Sequence, residues 1–132
     1  MGYETDFTIT VKDDVNKTLI GDETLNARIV AYLTKIAEDG KHENQYYFKE
    51  LLDSVHIDPV TGFQTNILAK WYECNDDMRA MSAAVADVLF MVEGKGEEDG
   101  DCWRNYFLNG KMQECQAKVT VTYPAFDMKK MK

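Results

Sequence analysis

The stretch VEGKGEEDGDCW, residues 92–103, sets Glu93, Glu97, Glu98, Asp99 and Asp101 among three glycines, directly before Trp103. Carboxylates so concentrated suit cation binding, metal-assisted hydrolysis or docking onto a cationic partner. An EF-hand loop needs a carboxylate first, glycine sixth and glutamate last. With Gly100 in the glycine position, Lys95 falls first and Tyr106 last, so both decisive ligands are missing. A cation site of another geometry, from Glu97, Asp99 and Asp101, stays open. The spacing Gly94-x-Gly96-x-x-x-Gly100 is too long for a dinucleotide fingerprint and lacks the Lys-Ser/Thr of a P-loop. Its five carboxylates would repel phosphate. A nuclease-like reading needs Glu93 and Asp87 on Mg²⁺, with Lys95 countering developing charge. Such an E-x-K triplet recurs by chance. Cys74, Cys102 and Cys115 stand at no spacing that pairs a nucleophile with His42 or His56. The plain alternative is a solvated loop between two strands, longer than the usual hairpin connection of about two to five residues.

The whole chain narrows these options. Its 132 residues suit one domain, and a net charge of −8 without a basic stripe argues against nucleic acid as direct partner. The same charge favours a basic protein surface, and it also serves solubility. No metal and no cofactor is expected from the motifs. Three cysteines without a close pair argue for reduced thiols. No run approaches the roughly 18 apolar residues of a membrane span. The start MGYETDFTITVKDD lacks a signal peptide's basic and apolar regions, and Asp6 stands where myristoylation requires Ser or Thr. A cytoplasmic protein is expected.

The elements that must position the acidic stretch follow from periodicity. Phe7, Ile9 and Val11 alternate with polar residues, which implies a strand with one buried face. Leu25, Ile29, Leu33 and Ile36 form a helical stripe with Tyr32 beside it, with Asp22 as N-cap and Gly40 closing the helix. Residues 45–58 suit a short helix or turn and then a strand entering the turn DPVTG. Residues 63–72 read as a strand, and Asn75 or Asp76 caps a second helix whose inner side holds Met78, Met81, Ala84 and Val85. The run VLFMV, residues 88–92, is apolar enough for a central strand. Asn109-Gly110, between residues 102–108 and 111–123, marks a type I′ hairpin. In the last strand Gln113, Cys115, Ala117, Val119, Val121 and Tyr123 share one face, and Glu114, Gln116, Lys118, Thr120 and Thr122 share the other. The expected fold is α+β: an antiparallel sheet with two helices on one face, ferredoxin-like (split βαβ), with a C-terminal β-meander. One domain spans residues 1–127, and the basic run MKKMK, residues 128–132, is a solubilising tail.

Three pieces in order, KWYECNDDMRAMS, DVLFMVEGKGEEDGDCWRNYFLNGKMQ and VTYPAFD, carry a resemblance. The C-terminal half resembles a group of small uncharacterised proteins of bacteriophages and mobile elements, with the pattern G-x-G-E-x-x-G-D-x-W-x-x-Y-F-x-x-G-K-x-Q. Trp71, Glu97, Asp101, Trp103, Tyr106, Phe107, Gly110, Lys111 and Gln113 fall in place together. Lys95, where an acidic residue is usual, and Cys74 depart from it. The resemblance implies a related ferredoxin-like fold and a phage context, but no chemistry. In that context, small acidic proteins without catalytic motifs often bind host proteins, including defence nucleases. The expectation is an anti-CRISPR-like inhibitor that occludes a basic host surface in the host cytoplasm. Its partner-binding residues are Glu93, Glu97, Glu98, Asp99, Asp101, Trp103, Tyr106, Trp71 and Tyr72. A metal- or nucleotide-sequestering module and a dimeric scaffold, a homodimer pairing sheet edges, are the alternatives from other classes.

Overall fold

The computed structural model describes residues 4–12, 23–58, 62–97, 101–117 and 123–131. Strand β1 (Thr5–Lys12) is followed by helices α1 (Glu23–Ala37) and α2 (Gln45–Asp53), then strands β2 (His56–Asp58) and β3 (Gly62–Ala69). Helix α3 (Cys74–Ala84) precedes β4 (Leu89–Lys95), β5 (Cys102–Leu108) and β6 (Lys111–Gln116). The six strands pair in the order β2-β3-β1-β4-β5-β6, every pair antiparallel. This is the α+β architecture implied by the sequence, and β4, β5 and β6 form the expected meander. No described helix is long and apolar enough to cross a membrane.

Alternation in β1 turns Phe7, Ile9 and Val11 to one side, where they meet Ile67 and Thr65 of β3 and Val92 and Phe90 of β4. The α1 stripe of Leu25, Ile29 and Leu33 joins the same buried cluster, as do Phe48 and Leu51 of α2 and Met78 and Met81 of α3. Three helices therefore cover one face of the sheet, where two were expected. Phe48 and Leu51, one turn apart, resolve the ambiguous stretch before β2 as a helix. The Thr65 hydroxyl donates to the Leu51 carbonyl at 2.6 Å and ties α2 to β3.

Several element ends differ from expectation. β3 stops at Ala69 because residues 70–73 turn tightly: the Tyr72 N–H donates to the Lys70 carbonyl and the Cys74 N–H to the Trp71 carbonyl. Glu73, not Asn75 or Asp76, precedes α3, and its side chain makes no cap bond. On α3, Met78 and Met81 are buried as expected, but Ala84 is exposed. Gly40 lies beyond the end of α1 and has no positive φ, so it is not the left-handed cap. Strand β6 ends at Gln116, and Tyr123 is exposed outside any strand. Asp22, residues 59–61 and residues 118–122 lie outside the described residues.

The hairpin turn is as the sequence requires, with φ of 51° at Asn109 and 82° at Gly110. The Gly110 N–H donates to Ser82 Oγ at 2.9 Å, which fastens the hairpin to α3. Asn109 exchanges hydrogen bonds with Asp87, itself in the left-handed region. Gly110→Ala should cost about 1 kcal/mol, since the left-handed conformation penalises a Cβ. A lowered urea midpoint with unchanged slope would register it.

Candidate functional site

The strand register gathers one end of the sheet. Thr5 lies opposite Ala69, Asp6 opposite Lys95, and Lys95 opposite Cys102. The β4–β5 connection, the turn after β3 and the start of α3 therefore share that end. The connection covers residues 96–101 and is closed by the Gly96 N–H donating to the Asp101 carbonyl at 2.8 Å. Glu97 is exposed, and its Oε1 accepts from the Glu4 N–H at 3.4 Å. Asp101 is half-buried, while Glu73 and Asp76 are exposed at the start of α3. Glu98 and Asp99 lie outside the described residues. Lys70 and Lys95 are the basic side chains described at this end, so carboxylates outnumber them.

Trp71 and Trp103 reach this end from distant parts of the chain. Trp71 is 2% exposed, with ring centroids of Phe7 at 5.4 Å and Phe48 at 5.7 Å. Its indole Nε1–H donates to Asp77 Oδ2 at 2.7 Å, and Asn44 Nδ2 donates to the same oxygen at 2.7 Å. His42 Nε2 stands 3.8 Å from Asp77 Oδ1, and Asn44 Nδ2 also reaches Glu73 at 3.2 Å. A carboxylate this enclosed needs such donors, because burying it unpaired would be costly. Trp71 is thus a core residue, whereas Tyr72 beside it is 70% exposed. Trp103 lies over Gly94: a Cβ on that glycine would sit 2.1 Å from Trp103 Cε2. Gly94 is therefore a seat for the indole, not part of a phosphate loop.

Between the start of α3 and the helix-facing side of β5–β6 lies a cleft of about 340 Å³. Tyr72, Asn75, Trp103, Asn105, Glu114 and Gln116 form its polar and aromatic lining, with Trp71 and Phe7 beneath. Asn105 Nδ2 donates to Asn75 Oδ1 at 3.1 Å, joining the hairpin to α3. Among the described residues, no lysine or arginine lines this cleft.

Glu93 and Tyr106 are placed elsewhere. Both project from the open face of the sheet, where Arg104 Nη2 meets Glu93 Oε2 at 3.1 Å. Arg104 is held in its charged form by the Tyr106 hydroxyl and by Glu93. The pair is about half exposed, so its contribution to stability is small. The structure thus gathers Trp71, Tyr72, Trp103, Glu97 and Asp101 at one end and turns Glu93 and Tyr106 to the open face, where they share a groove with Trp103.

Asp87 and Glu93, the carboxylates of the nuclease-like reading, stand apart along the chain. Asp87 precedes β4 and Glu93 stands in its second half, so about 20 Å of extended chain lies between them. Asp87 is also engaged with Asn109. Among the described residues, no three His, Cys, Asp or Glu side chains converge as a metal site. Cys74 is buried, and burial, with Asp77 adding to it, pushes its thiol well above the ordinary range. Iodoacetamide should modify the half-buried Cys102 and Cys115 and spare Cys74, as peptide mapping would show. The folded state holds the Cys74 proton more tightly than the unfolded state. Stability should therefore fall as pH rises past about 8.5, and Cys74→Ala should flatten that fall.

Asn75, Asn105, Glu114, Gln116 and the Asp77–Asn44 pair were not among the site residues expected from the sequence. Hairpin arithmetic offered a signal for three of them. A two-residue turn at Asn109-Gly110 sets Asn105 opposite Glu114 and Trp103 opposite Gln116, on the same side as buried Phe107. Comparison of the chain with protein-family models, curated proteins and solved structures returns no match.

Proposed function

We propose that this chain is a non-catalytic binding protein that engages a basic protein surface through the acidic end of its sheet. It acts as a phage-type inhibitor that occludes a face used for nucleic acid, as on a defence nuclease. The observation that carries this reading is the gathering of Glu97, Asp101, Glu73 and Asp76 at one end of a molecule with net charge −8. Exposed charges a few ångströms apart attract by only about 1 kcal/mol each in water. Affinity must then come from several together plus aromatic contact, and Tyr72 and Trp103 stand at the same end. The resemblance of the C-terminal half to small phage proteins supports the host context. The non-catalytic part is supported by the separation of Asp87 from Glu93 and by the protonated state of Cys74.

The test is affinity for basic nucleic-acid-binding proteins, CRISPR nucleases among them, measured across rising salt. Binding should weaken steeply as salt shortens the screening length. Glu97→Gln combined with Asp101→Asn, Glu73→Gln and Asp76→Asn should weaken it further. Absence of binding, or binding that ignores both salt and these variants, would sink the reading.

A further inference from the structure

We propose that the cleft between the start of α3 and the β5–β6 hairpin is a socket for an arginine side chain of the partner. This rests on the acidic-end reading and narrows it to one contact. On the helix-facing side, Trp103 stands opposite Gln116 and Asn105 opposite Glu114. Directly opposed side chains on neighbouring strands lie about 4.5–5.5 Å apart, and diagonal ones about 7–8 Å. The Trp103 ring and the Glu114 carboxylate form such a diagonal, which leaves room between them for a flat guanidinium. The indole is seated on Gly94 and also lines the cleft.

The lining suits a cation. Glu114 is exposed, and among the described residues no hydrogen bond or ion pair engages it. Gln116 Nε2 donates to the Cys102 carbonyl at 2.9 Å, which leaves its side-chain oxygen as an acceptor. Among the described residues, no basic side chain lines the space. The start of α3 opposes a cation with a partial charge of about +0.5, but Glu73, Asp76 and Glu114 each bring a full negative charge to the same region. Arginine fits better than lysine because its plane stacks on an indole while its fork of N–H donors reaches a carboxylate. A volume of about 340 Å³ lies at the small end for ligand pockets.

The test uses the full chain with capped tri-arginine, tri-lysine and tri-citrulline peptides at about 150 mM salt, near physiological screening. Indole and side-chain amide resonances report the site. The arginine peptide should shift Trp103, Asn75, Asn105 and Gln116, and bind about fivefold or more tightly than the lysine peptide. The citrulline peptide should leave the spectrum unchanged. Glu114→Gln should weaken the arginine peptide about tenfold, the loss of one charge-assisted bond. Equal affinity for the arginine and lysine peptides, with shifts confined to residues 96–101, overturns the socket and leaves the acidic-end reading standing. Unchanged arginine affinity in Glu114→Gln, or no arginine binding while the salt-dependent partner binding persists, overturns the socket alone.

Discussion

Trp71→Ala is expected to remove about 3–5 kcal/mol of stability, the usual loss when a buried tryptophan is truncated. That is a large share of the roughly 5–15 kcal/mol that domains possess. The indole fills space among Phe7, Tyr47 and Phe48, which belong to β1 and α2. Its removal leaves a cavity where two layers meet, and Asp77 loses its Trp71 donor while Asn44 remains. Trp71→Phe separates the two effects: most of the packing survives and the Nε1–H bond is lost, for about 1–2 kcal/mol. Asp77→Ala should cost more than Trp71→Phe, because the indole is left without its acceptor and the Asn44 amide keeps only Glu73. Urea midpoints with unchanged slopes would measure all three. A wild-type midpoint for Trp71→Ala would contradict the core position assigned to it.

Gly94→Ala carries the second large effect, and its sign is diagnostic. In an ordinary strand, replacing glycine by alanine gains about 0.5–1 kcal/mol, because glycine loses more freedom on folding. Here the added methyl would stand 2.1 Å from Trp103 Cε2 and 2.2 Å from Cζ2. The ring has to leave its seat, and overpacking of this kind costs about 1–3 kcal/mol. Overpacking wins, so the variant should be less stable than the parent. Trp103→Leu placed in the same chain should recover much of the loss, which a double-mutant cycle detects as coupling between the two sites. Additive effects, or a stabilised Gly94→Ala, would show that the indole does not rest there. The displaced ring would also open the cleft, so Gly94→Ala should weaken the arginine peptide more than its modest size suggests.

Part of the candidate site was legible in one dimension. The acidic stretch, its aromatic neighbours and the hairpin after them are local features. The Asn109-Gly110 turn has the positive φ at both positions that its residue types anticipate. What a two-residue turn permits is counting: Leu108 opposes Lys111, and every later pair follows. Trp71 and Tyr72 were grouped with the acidic stretch by pattern, and the register of β1 with β3 and β4 places them at its end of the sheet. Glu93 and Tyr106 belonged to the same pattern, yet side chains in a strand alternate between faces, and theirs fall on the open one with Arg104.

The amino-acid order by itself determined the α+β class, the buried side of β1, the stripe of α1 and the pairing within the last hairpin, because each depends on periodicity or on a turn short enough to count across. Only the tertiary structure decided that Gly94 carries Trp103, that Asp77 anchors Trp71 and Asn44, and that the start of α3 closes a cleft over Asn105 and Glu114. The link between β4 and β5 is too long to specify its own register, and Asn44 is separated from Asp77 by helix α2 and strands β2 and β3. Such contacts arise from burying the apolar side of six strands under three helices at once, a condition on the whole chain that no local stretch contains.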